Sequence, residues 1–279
     1  MSVRIIIDST TDLTTDVQGK VTVVPLTILF GAEEYVDGVD IDHATFYEKL
    51  VNSDMTPTTS QATPDQFMNV FRKVEQAGDE AVVITIASKL SGTYQSAHTA
   101  AQDMNGIYIV DSDTVAIGAG VLVKYAVELA ERGMSAAEIA EKLEAAKGSV
   151  KLVAMVDTLE YLKRGGRISK TVAFAGGLMN IKPIINVDKG VIGMLGKARG
   201  IKQGLVQLRS EIEKLGGIDF EKPVLMGYTG LDASNLDKFV SESAKIWERA
   251  EDSIPRTIIG SVVGTHAGPG AVAAAFFAK

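Results

Sequence analysis

Short apolar runs alternate with longer amphipathic stretches through the first half of the chain. Residues 3–8, 81–86 and 107–110 are apolar runs of strand length, and each is followed by a helical pattern. Strands covered on both faces read this way, so the pattern predicts βαβ units and a mainly parallel sheet with flanking helices. Two helix starts are signed locally. In Thr63-Pro64-Asp65-Gln66 the threonine can cap, proline takes the first helical position and glutamine lies three residues on, and Ser135-Ala136-Ala137-Glu138 repeats the capping-box spacing. Residues 21–38 read as an extended excursion rather than a crossover helix. The longest apolar stretch, 115–130, is interrupted by Lys124 and Glu128 and is too short to span a bilayer, so it is expected to be a buried core helix.

The pattern changes after Gly148. Residues 151–156 and 181–187 predict strands, Asp188-Lys189-Gly190 a hairpin turn, and 191–195 an antiparallel return. Two further strands are expected at 224–228 and 257–263, separated by a helix over 232–250, with a short alanine-rich helix closing the chain. The expected fold class is therefore α/β with two domains. An N-terminal domain, 1–149, carries the mainly parallel sheet, and a C-terminal domain, 150–279, carries a mixed sheet with helices. A length of 279 residues is enough for two cores.

Composition narrows what those cores can hold. Apolar residues make up 46% of the chain but aromatics only 6%, so the interior is mainly aliphatic. The net charge of −7, with no dense Lys/Arg grouping, argues against nucleic acid as a partner. The absence of cysteine removes disulfides, thiolate nucleophiles and Cys-ligated metals. Residues 1–8 supply one Arg and a short apolar run ending in an acid, without the regions of a signal peptide, so a cytoplasmic location and no stable membrane insertion are expected.

Candidate chemistry collects on loops that follow predicted strands, where open α/β sheets place ligands. Asp8-Ser9-Thr10-Thr11-Asp12 offers hydroxyls, but its two acids would repel an anion. Thr56-Pro57-Thr58-Thr59-Ser60-Gln61 carries more hydroxyls than one helix cap needs. Ser88-Lys89-Leu90-Ser91-Gly92-Thr93 is the best local anion site, because Gly92 lets the backbone approach a ligand and Ser91 and Thr93 lie at a helix start. It lacks the spacing of a phosphate-binding P-loop. Gly264-Thr265-His266-Ala267-Gly268-Pro269-Gly270 places one of only three histidines on a glycine-flanked loop, where imidazole can donate to a carboxylate. Arg167, in Gly165-Gly166-Arg167, and Arg199, in Lys197-Ala198-Arg199-Gly200, sit on glycine-flanked basic turns that suit an anion or a partner and equally suit helix capping. The three histidines show no metal-ligand spacing, and no serine-hydrolase elbow is present, so neither a metal nor catalytic residues are assigned.

Taken together the segments resemble the DegV family. The matching pieces include Ile6-Ile7-Asp8-Ser9-Thr10-Thr11-Asp12-Leu13, Thr59-Ser60-Gln61, Ser91-Gly92-Thr93-Tyr94-Gln95-Ser96-Ala97, Gly165-Gly166-Arg167-Ile168, Lys182-Pro183-Ile184 and Thr265-His266-Ala267-Gly268-Pro269-Gly270-Ala271, in order over nearly the whole chain. The resemblance implies a long-chain fatty acid bound between two domains as a ligand, with no cofactor. It further implies presentation of the carboxylate to a separate fatty acid kinase, whose acyl-phosphate product feeds phospholipid synthesis. A lipid-responsive regulatory protein and a stand-alone acyl- or phosphoryl-transfer enzyme are the alternatives.

For such a ligand, Thr59, Ser60, Ser91, Gly92, Thr93 and His266 are expected at the carboxylate. Arg167 and Arg199 are expected to serve phosphoryl transfer or partner contact. An alkyl tail gains about 0.8 kcal/mol per buried methylene in an aliphatic tunnel. Phe174, Leu178, Met179, Ile184, Ile192, Met194 and Leu195 are the expected lining.

Overall fold

In the computed structural model, which describes residues 2–168, 180–247 and 253–279, the chain begins β1 (Val3–Asp8), α1 (Thr15–Gln18), β2 (Val21–Val24), β3 (Thr27–Phe30), β4 (Glu33–Val36), α2 (His43–Asn52) and β5 (Thr58–Ser60). Then follow α3 (Pro64–Gln76), β6 (Glu80–Thr85), α4 (Thr93–Ala100), β7 (Ile107–Asp111), α5 (Ile117–Glu131) and α6 (Ala136–Ala146). The remainder is β8 (Val150–Met155), α7 (Glu160–Arg164), β9 (Ile181–Asp188), β10 (Val191–Arg199), α8 (Gly200–Lys214), β11 (Val224–Tyr228), α9 (Ser234–Glu242), β12 (Arg256–Ile258), α10 (Ser261–Ala267) and β13 (Val272–Phe277).

A parallel sheet of order β2-β1-β6-β7 forms from the first part. Alternation along β1 sends Ile5 and Ile7 into one core and Ile6 into another, the two-residue period of a strand buried on both faces. The excursion over 21–38 supplies β2 to that sheet, then a hairpin that joins β5 in a small antiparallel sheet of order β4-β3-β5. Both capping boxes are present, at Thr63/Gln66 and at Ser135/Glu138. The second large sheet, β10-β9-β8-β13-β11-β12, is antiparallel except for the β11–β12 pair.

Helix α5 packs on β1 and β6 from one side and on β8, β11 and β13 from the other. A helix held between two sheets must be apolar all round, and residues 117–123 are all buried. Gly120 lies where the β1–α1 loop crosses, and a Cβ there would stand 2.1 Å from the Asp12 carbonyl oxygen.

Several expected elements differ. The alanine-rich end is β13, a strand between β8 and β11, instead of a helix. Every residue of β13 is buried, so no alternation marks it as a strand, and its alanines favour helix when read alone. The strand expected over 257–263 stops at Ile258, and residues from Ser261 form α10, because Gly260 breaks the run and Asp12 accepts its N–H at 2.7 Å. The helix expected over 232–250 is described as Ser234–Glu242 and a 3₁₀ turn, Ala244–Ile246. Residues 196–199, read as a loop, belong to β10, which runs on past a bulge between Met194 and Gly196. Among the described residues no helix is long and apolar enough to cross a membrane.

Candidate functional site

A cavity of about 370 Å³ lies between the parallel sheet's loops and one face of the mixed sheet. Its size is that of a site for a small organic ligand. One part is lined by aliphatic residues, among them Leu152 and Val156 of β8, Ile185 and Val187 of β9, and Ala271 and Ala273 at β13. The other is polar, with Thr59, Ser60, Gln61, Ser91, Arg167 and His266.

Each polar residue has a local reason for its place. Thr59 and Ser60 are held in β5 by pairing with Ile28 and Thr27 of β3. Ser91 closes the turn before α4, its Oγ 2.9 Å from Thr93 Oγ1 and accepting the Thr93 N–H at 3.3 Å. Thr93 is fully buried and absent from the cavity wall, so it supports Ser91 instead of facing a ligand. Gly92 does line the cavity, but what its missing Cβ admits is the Gln61 side chain, whose Oε1 would be 2.0 Å away. Gln61 in turn donates to Ser96 Oγ at 2.9 Å, tying β5 to α4.

His266 sits in the last turn of α10, a helix that also gives Val262, Val263 and Ala267 to the wall. Its Nε2 is 2.9 Å from Thr59 Oγ1, while Nδ1 is buried without a partner against Gly165, where a Cβ would come within 2.1 Å. Burial, aided by the Arg167 guanidinium, lowers its pKa to about 4, so the imidazole is neutral near pH 7. A proton on Nε2 avoids a buried, unpaired Nδ1–H, and with Nε2–H donating to Thr59 Oγ1 the Thr59 hydroxyl proton is left for another acceptor.

The acids at the end of β1 do not oppose an anion here, because both turn inward. Asp8 accepts from Thr10 N at 2.9 Å, Thr10 Oγ1 at 2.5 Å and Ile86 N at 2.7 Å, and burial pushes its pKa up. Asp12 is likewise buried, with its pKa pushed well up by desolvation, and it anchors the start of α10, the helix that carries His266. Thr10, between them, reaches the cavity wall.

The two arginines are not brought together. Arg167 lines the cavity, its Nε donating to Leu90 O at 3.3 Å and its Nη1 to Gly165 O at 2.6 Å. Arg199 pairs with Ile181 at the far end of the β9–β10 hairpin from its Gly190 turn, roughly 26 Å along the strand.

Of the expected tail residues, Ile192 lines the cavity, and Met194 packs against the same core without forming the wall. Ile184 and Leu195 belong to the core on the opposite face of the mixed sheet. The reason is parity: in β9, Ile185 and Val187 point to the cavity and Ile184 away. Phe174, Leu178 and Met179 lie outside the described residues. Strand alternation in β9 was the signal for Ile185 and Val187, whereas Ala271 and Ala273 had none without knowing that the chain ends in a strand.

The pKa of His266 has a consequence for stability. Between pH 6.5 and about 4 the unfolded chain protonates this imidazole while the folded chain does not. The unfolded state then binds more protons, so stability falls as pH drops through that window. Urea unfolding of the wild type and a His266→Gln variant across it should show a shallower decline in the variant, and parallel declines would contradict the assignment.

The family model described as an uncharacterised protein of the DegV family matches residues 2–279. A DegV domain-containing protein from Caldanaerobacter subterraneus subsp. tengcongensis is 36% identical over 284 residues, covering 99% of each chain. Among solved structures, a DegV family protein from Thermus thermophilus described by its fatty acid binding superposes with a TM-score of 0.85 at 31% identity, covering 99% of this chain and 100% of that one. A stearic acid-binding protein from Eubacterium ventriosum gives a TM-score of 0.85 at 30% identity, with 99% and 98% covered.

Proposed function

This chain belongs to the DegV family, and from that premise we propose that it binds a long-chain fatty acid, with the carboxylate among Thr59, Ser60, Ser91 and His266 and the tail along the aliphatic wall. One observation carries the reading: a single cavity has hydrogen-bond donors in one part, the neutral Thr59, Ser60, Ser91 and His266 beside the Arg167 guanidinium, and a mainly aliphatic lining in the other. An ionised head needs donors and an alkyl tail needs apolar surface, and few other ligand classes need both in this proportion. Solved relatives described as fatty-acid binding support it.

In this reading the ligand lies between two α/β units, 1–149 and 150–279, which both contribute to the wall. The protein is cytoplasmic and presents the acid to a separate fatty acid kinase, whose product serves phospholipid synthesis. A carboxylate oxygen would attack the terminal phosphorus of a nucleoside triphosphate held by that kinase, forming the acyl-phosphate bond as the nucleoside diphosphate leaves. The pairing of Ser91 Oγ with Thr93 Oγ1, instead of with the imidazole, supports a holding role over a nucleophilic one. Arg199, exposed at the start of α8, is assigned to partner contact.

Titration with carboxyl-¹³C palmitate tests the reading. A resolved bound carboxylate resonance is expected, along with a rise in the His266 pKa as the negative head settles beside the ring. Ser91→Ala should weaken palmitate by about 1.5 kcal/mol, the lower end for a hydrogen bond to a charged group. A spectrum showing only free palmitate would end the proposal.

A further inference from the structure

The β1–α1 loop separates two cavities. Thr10 faces the one already described, while Thr11 and Asp12 line a second, of about 390 Å³, that shares no lining residue with the first. Residues of β2, the turn at 37–39, His43 of α2, and Thr257 and Ile258 of β12 complete its wall.

The polar part of this wall is acidic and lacks partners. Asp37 and Asp12 are 3% and 5% exposed, and Thr11 is buried with them. Asp37 Oδ1, Asp12 Oδ2 and Thr11 Oγ1 have no hydrogen-bond partner among the described residues. The Ser9 and Ser261 hydroxyls neighbour Asp37 without bonding that oxygen. Asp8, by contrast, offsets its burial with three donors. Counter-charge is missing too, since no Lys or Arg among the described residues lines the cavity and His43 is its one basic side chain. Burial pushes the pKa of both acids up, and Asp37 and Asp8 add repulsion at Asp12. Acceptors left unpaired in the interior are costly, and perturbed acids lining a cavity mark a ligand site.

What these oxygens can do defines the ligand. Carboxylates accept hydrogen bonds, so the ligand must donate, and two acids call for positive charge. No three His, Asp or Glu side chains among the described residues are grouped to hold a metal ion. An ammonium group has three N–H donors, one for each unpartnered oxygen. The rest of the wall is largely apolar, with Val21, Val23, Pro25 and Val39, of which Val23 and Val39 remain 46% and 72% exposed. Exposed valines at the rim of a cavity suit an apolar body carried by the cation. We propose that this cavity is a second ligand site, taking a small primary amine with its ammonium on Thr11, Asp12 and Asp37 and its apolar body against the valines. The acids of the β1–α1 loop, which would repel an anion, thereby serve a cation on the other side of that loop.

Calorimetric titration of 2-phenylethylamine and its neutral isostere 2-phenylethanol into wild type, Asp37→Asn and Val39→Lys tests the site. Asparagine keeps the shape of Asp37 and removes its charge, and Val39→Lys places a like charge at the exposed rim. Urea unfolding verifies that each variant is folded. The amine is expected to bind wild type at least about tenfold more tightly than the alcohol, and to lose about tenfold in each variant. The alcohol should change less than about twofold in Asp37→Asn. An amine that binds no better than the alcohol, or equally well to all three proteins, would overturn the site. Displacement of the amine by potassium or magnesium chloride at fixed ionic strength would make the site one for an inorganic cation and overturn the organic ligand.

Discussion

Replacing Ala273 with Leu is expected to weaken palmitate binding by about 2.4 kcal/mol, roughly fiftyfold, while leaving the unliganded protein as stable as before. Ala273 lies opposite Ala154 in the β8–β13 ladder, and both line the cavity. Leucine adds three carbons there, displacing about three tail methylenes at about 0.8 kcal/mol each. In the absence of ligand the same atoms fill apolar space, so no packing is lost. A shorter acid such as decanoate, whose tail need not reach that part of the wall, should lose much less. Isothermal titration with the two acids, alongside urea unfolding, checks this. Equal losses for both acids, or none for palmitate, would show that the tail does not run past β13.

A Gly120→Ala protein should be less stable by about 3 kcal/mol, although alanine is the better helix former by about 1 kcal/mol. The added Cβ would stand 2.1 Å from the Asp12 carbonyl oxygen and 3.3 Å from Leu225 Cδ2. The first contact is backbone, and it is held in place by Asp12 N donating to Ala116 O at 3.4 Å and by the Asp12 carboxylate on Gly260. Relief would require the β1–α1 loop and α5 to separate, opening the core that α5 forms with both sheets. Denaturant unfolding measures the loss. A stability equal to or above that of the wild type would mean that this crossing is looser than described.

What could be read before the fold was known follows the range of the interactions involved. The capping boxes at Thr63 and Ser135, the strands at 3–8 and 224–228 and the turn at Asp188-Lys189-Gly190 are set by neighbours within a few residues, and each stands where expected. The end of the chain was illegible because its strand character comes from β8 and β11, far away in sequence. The start of α10 depends on Asp12, 248 residues distant. The candidate site divides in the same way. A hydroxyl-rich loop after β6 points to Ser91 without a structure and rarity points to His266, whereas Thr59 and Ser60, expected on a loop after a strand, lie within β5 after α2, where pairing with β3 turns the hydroxyl-rich segment into a strand. The aliphatic wall needs the parity of β9, which turns Ile185 and Val187 inward and Ile184 outward. That Thr93 backs Ser91 instead of facing a ligand depends on one turn of geometry that composition does not carry.

The central claim is that the cavity between the sheets holds a fatty acid, and native mass spectrometry of the protein as purified from lipid-containing cells tests it most directly. The account predicts a bound species heavier than the chain by the mass of one long-chain fatty acid, released on denaturation and recovered as the free acid. A well-folded preparation that carries no acyl chain, and takes up none when palmitate or oleate is added, would contradict it.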